Sequence, residues 1–228
     1  VLDELTQGEM RGLVLDLRFN PGGLLSAAVE VSDMFIPDGR IVSTDGRNVK
    51  SRSWDATKKG TYEGFPMAVL VNGFSASASE IVAACLQDHD RAVIIGSRTW
   101  GKGSVQNVIK LNGGSSAVKL TTADYHRPNG ENIHRFPDSK EEDAWGVKPS
   151  DGFQVQLTRK ERSQLMLHQR QQDIVRPHTD EETGSEKPDN EDVAEPEFND
   201  VQLAKALEYL KQSLSAEDEK EKTEEAAE

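Results

Sequence analysis

Residues 67–87 decide the fold, because a buried strand, a tight turn and a helix follow one another in the sequence MAVLVNGFSASASEIVAACLQ. The first five residues, Met67–Val71, are all apolar and lie between Pro66 and an Asn-Gly pair, which is typical of a buried strand. A helix is predicted over 77–87, since apolar side chains recur there at helical spacing. This stretch therefore supplies the strand and helix of a βαβ unit.

Strands are also predicted on either side of this stretch. Residues 12–18 form an apolar run that ends in an Asn-Pro-Gly-Gly turn, and residues 24–35 follow with helical spacing. Residues 92–95 form another short apolar run, which ends at a glycine. The resulting order of strand, helix, strand, helix and strand predicts an α/β fold with a partly parallel sheet.

Two hairpins complete the predicted elements. Residues 40–65 suit an irregular β-hairpin with its turn signal at Asp45-Gly46. Residues 105–111 and 116–122 flank an Asn-Gly-Gly turn and alternate in polarity, which predicts a second hairpin.

The charge is concentrated at one end of the chain. The 228 residues carry a net charge of −13, but residues 177–228 hold 18 acidic and 5 basic side chains, so residues 1–176 are neutral in sum. A chain this acidic is a poor candidate for binding nucleic-acid phosphates. No apolar run reaches the roughly 18–20 residues of a membrane span. The single cysteine, Cys85, excludes an internal disulfide and a cysteine-rich zinc site.

The last part of the chain is expected to differ from residues 1–155. Residues 156–176 are basic and suit a helix, and residues 177–198 have the Glu, Asp and Pro content of a disordered linker. Residues 199–228 suit an amphipathic helix with a charged tail. This helix either packs back on the domain or forms a separate interaction element, through an apolar stripe of Leu203, Leu207, Leu210 and Leu214.

Two glycine-rich corners each follow a strand and begin a helix, at residues 20–23 and 72–81. A helix N-terminus offers free N–H groups and the positive end of the helix dipole, which suit an oxyanion or an activated hydroxyl. Ser77 and Glu80 also have the spacing of a capping box, so a purely structural role for Ser77 is an open alternative.

Lys102 lies between two glycines, in the stretch Thr99 to Gln106. Such a lysine can point into a crevice, where desolvation disfavours the ammonium form and a neutral amine can take a proton from a serine. The alternative is a solvated lysine in a surface turn. The spacing of the glycines does not match a phosphate-binding loop, which excludes an NTPase of that type.

The histidines suggest no site. Asp88 and His89 follow the apolar part of the helix and are expected to be solvated, and they are not expected to belong to a Ser-His-Asp triad. The other four histidines show no metal-ligand spacing.

Taken together, these segments resemble the C-terminal processing peptidases, also called tail-specific proteases. The resemblance is close over about residues 2–155 and loose over 199–210. It implies a mixed sheet with βαβ units like that of ClpP and the crotonases. Its motifs are residues 12–25, 71–81, 96–106, 119–123 with 127–130, 145–151 and 200–210.

The resemblance also implies roles for five residues. Ser77 corresponds to the nucleophile of a Ser-Lys pair, and Lys102 corresponds to its base. Gln106 matches a glutamine that orients the lysine. The backbone N–H groups of Gly23 and Ala78 match the oxyanion hole, in agreement with two helix N-termini that face one crevice. No cofactor and no metal are implied.

Partners and compartment follow from the family in the same way. Its members act on proteins with accessible C-terminal tails, mostly outside the cytoplasm in the periplasm or cell envelope, and a PDZ domain captures the tail by strand addition. The chain begins with Val1 and shows no PDZ domain or signal peptide. We therefore expect a C-terminal piece of a longer protein, an incomplete peptidase core, and weak or no proteolysis by these residues alone.

Two other functions stay open at this point. The first is an inactive scaffold or binding relative that keeps the fold, although Ser77, Lys102 and Gln106 are intact. The second is a crotonase-like acyl-CoA enzyme. That enzyme would need a catalytic carboxylate at the crevice, where the corners supply only Glu80.

Overall fold

The computed structural model describes residues 1–172 and 198–225 of the chain. Helices and strands alternate through its first half, and two long antiparallel strands follow. In chain order the elements are α1 Leu2–Gln7, β1 Leu13–Asp16, α2 Leu25–Asp33, β2 Arg40–Gly46, β3 Val49–Asp55, β4 Met67–Val71, α3 Ala78–Asp88, β5 Val93–Gly96, β6 Ser104–Leu111, a 3-10 turn Asn112–Gly114, β7 Ser116–His126, α4 Arg159–Gln172 and α5 Val201–Glu225.

Three strands form a parallel sheet in the order β1-β4-β5. Leu13 pairs with Met67, and Ala68 pairs with Val93. All five residues of β4 are buried, which explains their uninterrupted apolar sequence, because a central parallel strand is covered on both faces. The predicted α/β class with βαβ units is therefore confirmed.

Helices cover both faces of this sheet. Val69 belongs to the face that carries α2 and α3, where it shares a core with Ala28 and Ile81. Leu70 belongs to the opposite face and shares a core with Ala206 of α5. Alternate side chains of β4 therefore pack against the helices on opposite faces of the same sheet.

Helix α5 packs on the domain through only part of the predicted leucine stripe. Leu203 and Leu207 are exposed, whereas Gln202, Ala206 and Leu210 are buried. The helix is rotated so that its small alanine lies over the sheet and two of the leucines face outward. The predicted stripe is therefore wrong at Leu203 and Leu207 and correct at Leu210.

Four strands form a separate antiparallel sheet in the order β3-β2-β7-β6. The turn between β2 and β3 differs from the prediction, because Gly46 stays in the strand and pairs with Val49. The turn is formed by Arg47 and Asn48, and Asn48 has a φ of 61°, which asparagine tolerates better than most residues.

The β6–β7 hairpin is confirmed, and its strand β7 extends to His126. Residues 106–121 are exposed on both faces of this hairpin. Cross-strand pairing places Ile109 opposite Val118, and both side chains are open to solvent. The hairpin is therefore held in place only near its base among the described residues.

Residues 1–155 and the chain from Gln202 onward form one compact unit, and Gln156–Val201 form another. Within the second unit, Thr158 and Glu161 close the start of α4 by reciprocal hydrogen bonds. The predicted acidic linker lies outside the described residues except for Phe198. Within the described residues, no helix combines the length and hydropathy that crossing a membrane requires.

Cys85 lies inside the main unit, on the buried face of α3. Its side chain is completely buried, and this burial raises the pKa of the thiol to about 12. The cysteine is therefore a packing residue and not a nucleophile at neutral pH.

Candidate active site

Hydrogen bonds join the two glycine-rich corners directly. The Asn72 side-chain carbonyl accepts from the backbone N–H groups of Phe19 and Phe74, at 3.1 and 3.0 Å. The Ser75 hydroxyl donates to the carbonyl of Leu17 at 2.7 Å. The segments after β1 and β4 are therefore fixed against each other by buried polar groups.

The closest approach between the corners is made by Gly22. Its φ is 93°, and a Cβ added there would lie 2.5 Å from the carbonyl oxygen of Ala76 and 2.7 Å from the nitrogen of Ala78. Only glycine combines this backbone conformation with this contact. A Cβ at Gly23 would meet nothing within 4 Å, so the next residue faces open space beside the turn.

Ser77 has a strained backbone. Its φ of 58° and ψ of −117° lie far from the extended conformation that N-cap residues usually adopt. Strain of this kind costs roughly 1–3 kcal/mol and clusters at functional sites. Of the three serines in the corner, Ser75 and Ser79 are buried and Ser77 is partly exposed. A capping role alone does not account for this geometry.

Glu80 connects Ser77 to the lysine segment. Its carboxylate accepts from the N–H of Ser77 at 2.8 Å, which is one half of the predicted capping box. It also accepts from the Thr99 hydroxyl and the Gly101 N–H, both at 2.6 Å, and from the Lys102 N–H at 2.8 Å. One buried carboxylate thus fixes the backbone of both proposed catalytic residues.

The environment of Glu80 affects its protonation. The residue is 0% exposed, and this burial raises the pKa of its carboxyl, while the four hydrogen bonds act in the opposite direction. The sequence predicted Glu80 only as a cap partner. Its position in a helix whose neighbouring residues are all apolar or small was the signal that the carboxylate would need several donors.

The lysine segment is also held from its other side. Thr99 accepts through its hydroxyl from the N–H of Val147 at 2.7 Å. A Cβ at Gly101 would lie 2.7 Å from the Cβ of Arg135 and 3.0 Å from the Trp145 ring. Glycine is therefore required next to Lys102, because residues 133–147 pack against this backbone.

Lys102 and Gln106 both have exposed side chains. Lys102 lies two residues before β6, and Gln106 is the third residue of that strand, at an irregularity in its pairing with β7. In residues 1–172 and 198–225, no hydrogen bond joins the Ser77 hydroxyl to the Lys102 amine. The structure thus brings the two backbone segments together through Glu80 and leaves the lysine side chain in solvent.

Three apolar side chains at the edge of these segments are exposed. Leu24 follows the Gly22–Gly23 turn, Phe74 precedes the Ser77 turn, and Trp100 precedes Lys102; their exposures are 73%, 44% and 59%. Phe74 also stacks on Phe19, with 5.7 Å between the ring centroids. An apolar surface therefore borders the site.

The expectation that Asp88 is solvated is wrong. Its carboxylate receives two hydrogen bonds from the Arg127 guanidinium, at 2.5 and 2.9 Å, and both side chains are almost fully buried. This pair joins the end of α3 to the turn that follows β7. His89 is only partly exposed, and its Nε2 lies 2.7 Å from the carbonyl oxygen of Arg40.

Comparison with known proteins agrees with the resemblance seen in the sequence. The profile of Peptidase family S41 matches residues 1–149. The chain is 49% identical over 134 residues to the carboxy-terminal-processing protease of Bartonella bacilliformis, which covers 58% of this chain and 31% of that relative. It is 35% identical over 182 residues to the tail-specific protease of Haemophilus influenzae, which covers 67% of this chain and 26% of that relative.

A solved structure shares both sequence and fold with the chain. The photosystem II D1 C-terminal processing protease is 38% identical with a TM-score of 0.58, over 68% of this chain and 37% of that one. The chain spans about a third or less of the length of the two curated relatives described. Because the family profile matches well over half of the chain, the chain belongs to peptidase family S41, whose members here are C-terminal processing proteases.

Proposed function

We propose that this chain carries the catalytic residues of a serine-type endopeptidase that cleaves protein substrates near their C-terminus. The observation that supports this most directly is the strained and accessible Ser77, whose backbone shares a buried carboxylate with the backbone of Lys102. Membership of a peptidase family makes the hydrolysis of peptide bonds the expected reaction.

The proposed reaction is acyl transfer. The Ser77 hydroxyl attacks the scissile carbonyl while the neutral Lys102 amine takes its proton, and Gln106 orients that amine. Lys102 then gives the proton to the leaving amine, which departs and leaves an ester on Ser77. Water attacks the ester with Lys102 again as base, which releases the carboxylic acid and restores the serine.

Backbone N–H groups are proposed to stabilise the tetrahedral intermediate. Ala78 is the first residue of α3, so its N–H belongs to the four that have no partner inside the helix, at the positive end of the helix dipole. Gly23 follows the residue that contacts the Ser77 turn. Together these two groups would bind the oxyanion from the adjoining corners.

Lys102 is exposed in this chain, whereas the reaction needs a neutral amine. We propose that a bound polypeptide lies across the corner, between the exposed Leu24, Phe74 and Trp100, and displaces water from the amine. Desolvation disfavours the charged form and would produce the base as the substrate binds.

The test compares four variants of the intact protein on an unfolded polypeptide with an apolar C-terminal tail. Ser77→Ala and Lys102→Ala should each lower kcat/KM by at least about 10³-fold, because nucleophile and base act as a unit. Ser26→Ala and Lys110→Ala, which replace an exposed serine and an exposed lysine elsewhere, should keep wild-type rates. If the wild type cleaves the polypeptide no faster than Ser77→Ala does, the result would instead favour a scaffold that keeps the fold without the chemistry.

The compartment and the mode of substrate capture are also proposals. We infer an extracytoplasmic peptidase that receives C-terminal tails from a PDZ domain, as the family resemblance implies. Cell fractionation with an antibody against α3 to β7 would test the compartment. Binding of tail peptides with and without a free terminal carboxylate would test the mode of capture.

A further inference from the structure

Helix α5 places a buried glutamine against Arg18, two residues before the first glycine-rich corner. Gln202 is 1% exposed, and its side-chain amide makes two described hydrogen bonds. The oxygen accepts from a guanidinium nitrogen of Arg18 at 3.2 Å, and the nitrogen donates to the carbonyl of Val155 at 2.8 Å. Residues 184 positions apart in the sequence thus meet at the end of β1.

Arg18 is fixed by a second residue at the same place. The Asp16 carboxylate accepts from Nε and Nη2 of Arg18, the latter at 2.6 Å, and also from the Arg18 backbone N–H at 2.9 Å. The guanidinium is nearly fully buried in spite of its charge. A buried charge requires well-placed partners, so the positions of Asp16, Arg18 and Gln202 depend on one another.

The backbone on either side of Arg18 leads directly to the proposed oxyanion corner. The carbonyl of Leu17 and the N–H of Phe19 are the groups that bond to the second corner, as described above. The Asn20 carbonyl accepts from Ala76 N–H at 3.1 Å, and Gly22 then contacts the Ser77 turn. A displacement of Arg18 would therefore be transmitted over four residues to Gly22.

We propose that Gln202 is a positioning residue for the Gly22–Gly23 turn, so that the C-terminal helix α5 is part of the catalytic machinery. The proposal rests on the proposed function, because it assigns Gln202 a role in aligning the oxyanion donors. It also explains why the residue is a glutamine. Only a side chain with both an acceptor and a donor satisfies Arg18 and the Val155 carbonyl together.

Amide hydrogen exchange, measured by NMR on the wild-type chain and three variants, tests the positioning directly. Gln202→Leu removes the acceptor and the donor, whereas Gln202→Glu keeps an acceptor for Arg18. Gln212→Leu is the control, because it replaces an exposed glutamine on the same helix by leucine. The probes are the hydrogen-bonded amides of Phe19, Gly22 and Ala76, each compared with Val69 in the central strand β4 and Ile94 in the neighbouring strand β5.

We expect Gln202→Leu to raise exchange at the three corner amides about tenfold relative to Val69 and Ile94, which is the effect of losing one hydrogen bond to a charged group. Gln202→Glu should raise it less than about threefold, and Gln212→Leu should not change it. A uniform rise in both sets of amides would overturn the proposal, because it would indicate general destabilisation. Equal effects of Gln202→Leu and Gln202→Glu would overturn it as well.

Kinetics on the intact protein provide the second measurement. Gln202→Leu should lower kcat by about 10–100-fold with little change in KM, because the alignment of the turn matters in the transition state and not in the binding of the polypeptide. If amide exchange at the corner became tenfold faster in Gln202→Leu while kcat stayed unchanged, the result would contradict the positioning role. If the wild-type protein does not cleave polypeptides, the proposed function fails, and the exchange experiment still decides whether Gln202 holds the turn.

Discussion

The two halves of the candidate site are held in different ways. Ser77 lies in a turn that buried hydrogen bonds and the contact with Gly22 fix on several sides. Lys102 has its backbone fixed by Glu80, but its side chain and the following hairpin are exposed. Changes near Ser77, the proposed nucleophile, should therefore act through the fold, whereas changes on the hairpin should act only through the chemistry of Lys102, the proposed base.

The ion pair that joins the end of α3 to the turn after β7 should show the largest effect. Arg127→Met leaves Asp88 buried without its charged partner, and we expect it to lower the free energy of unfolding by about 3–5 kcal/mol in urea titrations. Arg52→Met is the matched control, because this arginine is exposed on β3. A loss below about 1 kcal/mol would mean that the Asp88–Arg127 pair contributes no more than a surface ion pair.

Gly22 tests the Ser77 half of the site, with the next residue as its control. Gly22→Ala places a Cβ against the backbone of Ala76 and Ala78 at a positive φ, so we expect kcat/KM to fall by about 10²–10³-fold through misalignment of the proposed oxyanion donors. Gly23→Ala meets no atom within 4 Å and keeps its N–H, so it should change the rate less than threefold, a limit of about 0.7 kcal/mol. Equal losses in the two variants would show that the contact at Gly22 is not what matters.

Glu80→Gln removes the charge that links the two halves. At least one N–H donor loses its acceptor, so we expect a loss of about 1–3 kcal/mol in unfolding free energy. The rate should fall by up to about 10²-fold, since the segments that carry the proposed catalytic residues Ser77 and Lys102 lose their alignment. The exposed Glu30→Gln on α2 is the control for removing a carboxylate, and it should match the wild type.

The pH dependence of the unfolding free energy, compared between the wild type and Glu80→Gln, is a separate test. Because burial raises the pKa of Glu80 above its ordinary value of 4.5, the folded state binds this proton more tightly than the unfolded state. The resulting stabilisation is complete below pH 4.5 and is lost as the pH rises through the folded-state pKa. Glutamine does not titrate, so the stability gap between wild type and Glu80→Gln should narrow as the pH rises above 4.5. A widening gap would show that the hydrogen bonds outweigh burial.

The hairpin should show the smallest effect. Ile109→Ser replaces an exposed side chain on β6, and we expect the free energy of unfolding to change by less than about 0.5 kcal/mol. The conservative change Ile94→Val, at a fully buried position in β5 of the parallel sheet, should cost more, about 0.5–1.5 kcal/mol. A larger effect at Ile109 than at Ile94 would contradict the exposed position of the hairpin.

The strands and helices of the main unit could be predicted because their pattern is local. Met67–Val71 is uniformly apolar since β4 is covered on both faces, and the Asn-Gly-Gly turn identifies the β6–β7 hairpin. The register of β2 and the rotation of α5 could not be predicted. They depend on which side chains meet across the fold, such as Ala206 on Leu70, and no local spacing records such a contact.

The candidate residues could be identified from sequence motifs, but the hydrogen bonds and ion pairs that hold them could not. A capping box is a local pattern, so Glu80 was recognised as the partner of Ser77 and not as the acceptor for three groups about 20 residues further along the chain. Asp88 was expected in solvent because its buried partner, Arg127, lies 39 residues away. Both errors have the same physical cause, since the burial of a charge is decided by the tertiary contacts that compensate for it.

The burial of Cys85 has a practical consequence for studies of motion at this site. A completely buried thiol with a pKa of about 12 reacts slowly with thiol-directed probes, and it is the only cysteine in the sequence. A cysteine introduced at the exposed Lys110 would therefore be labelled selectively in the otherwise natural sequence. A dye or spin label attached there would report how the hairpin that begins beside Lys102 moves when a polypeptide binds.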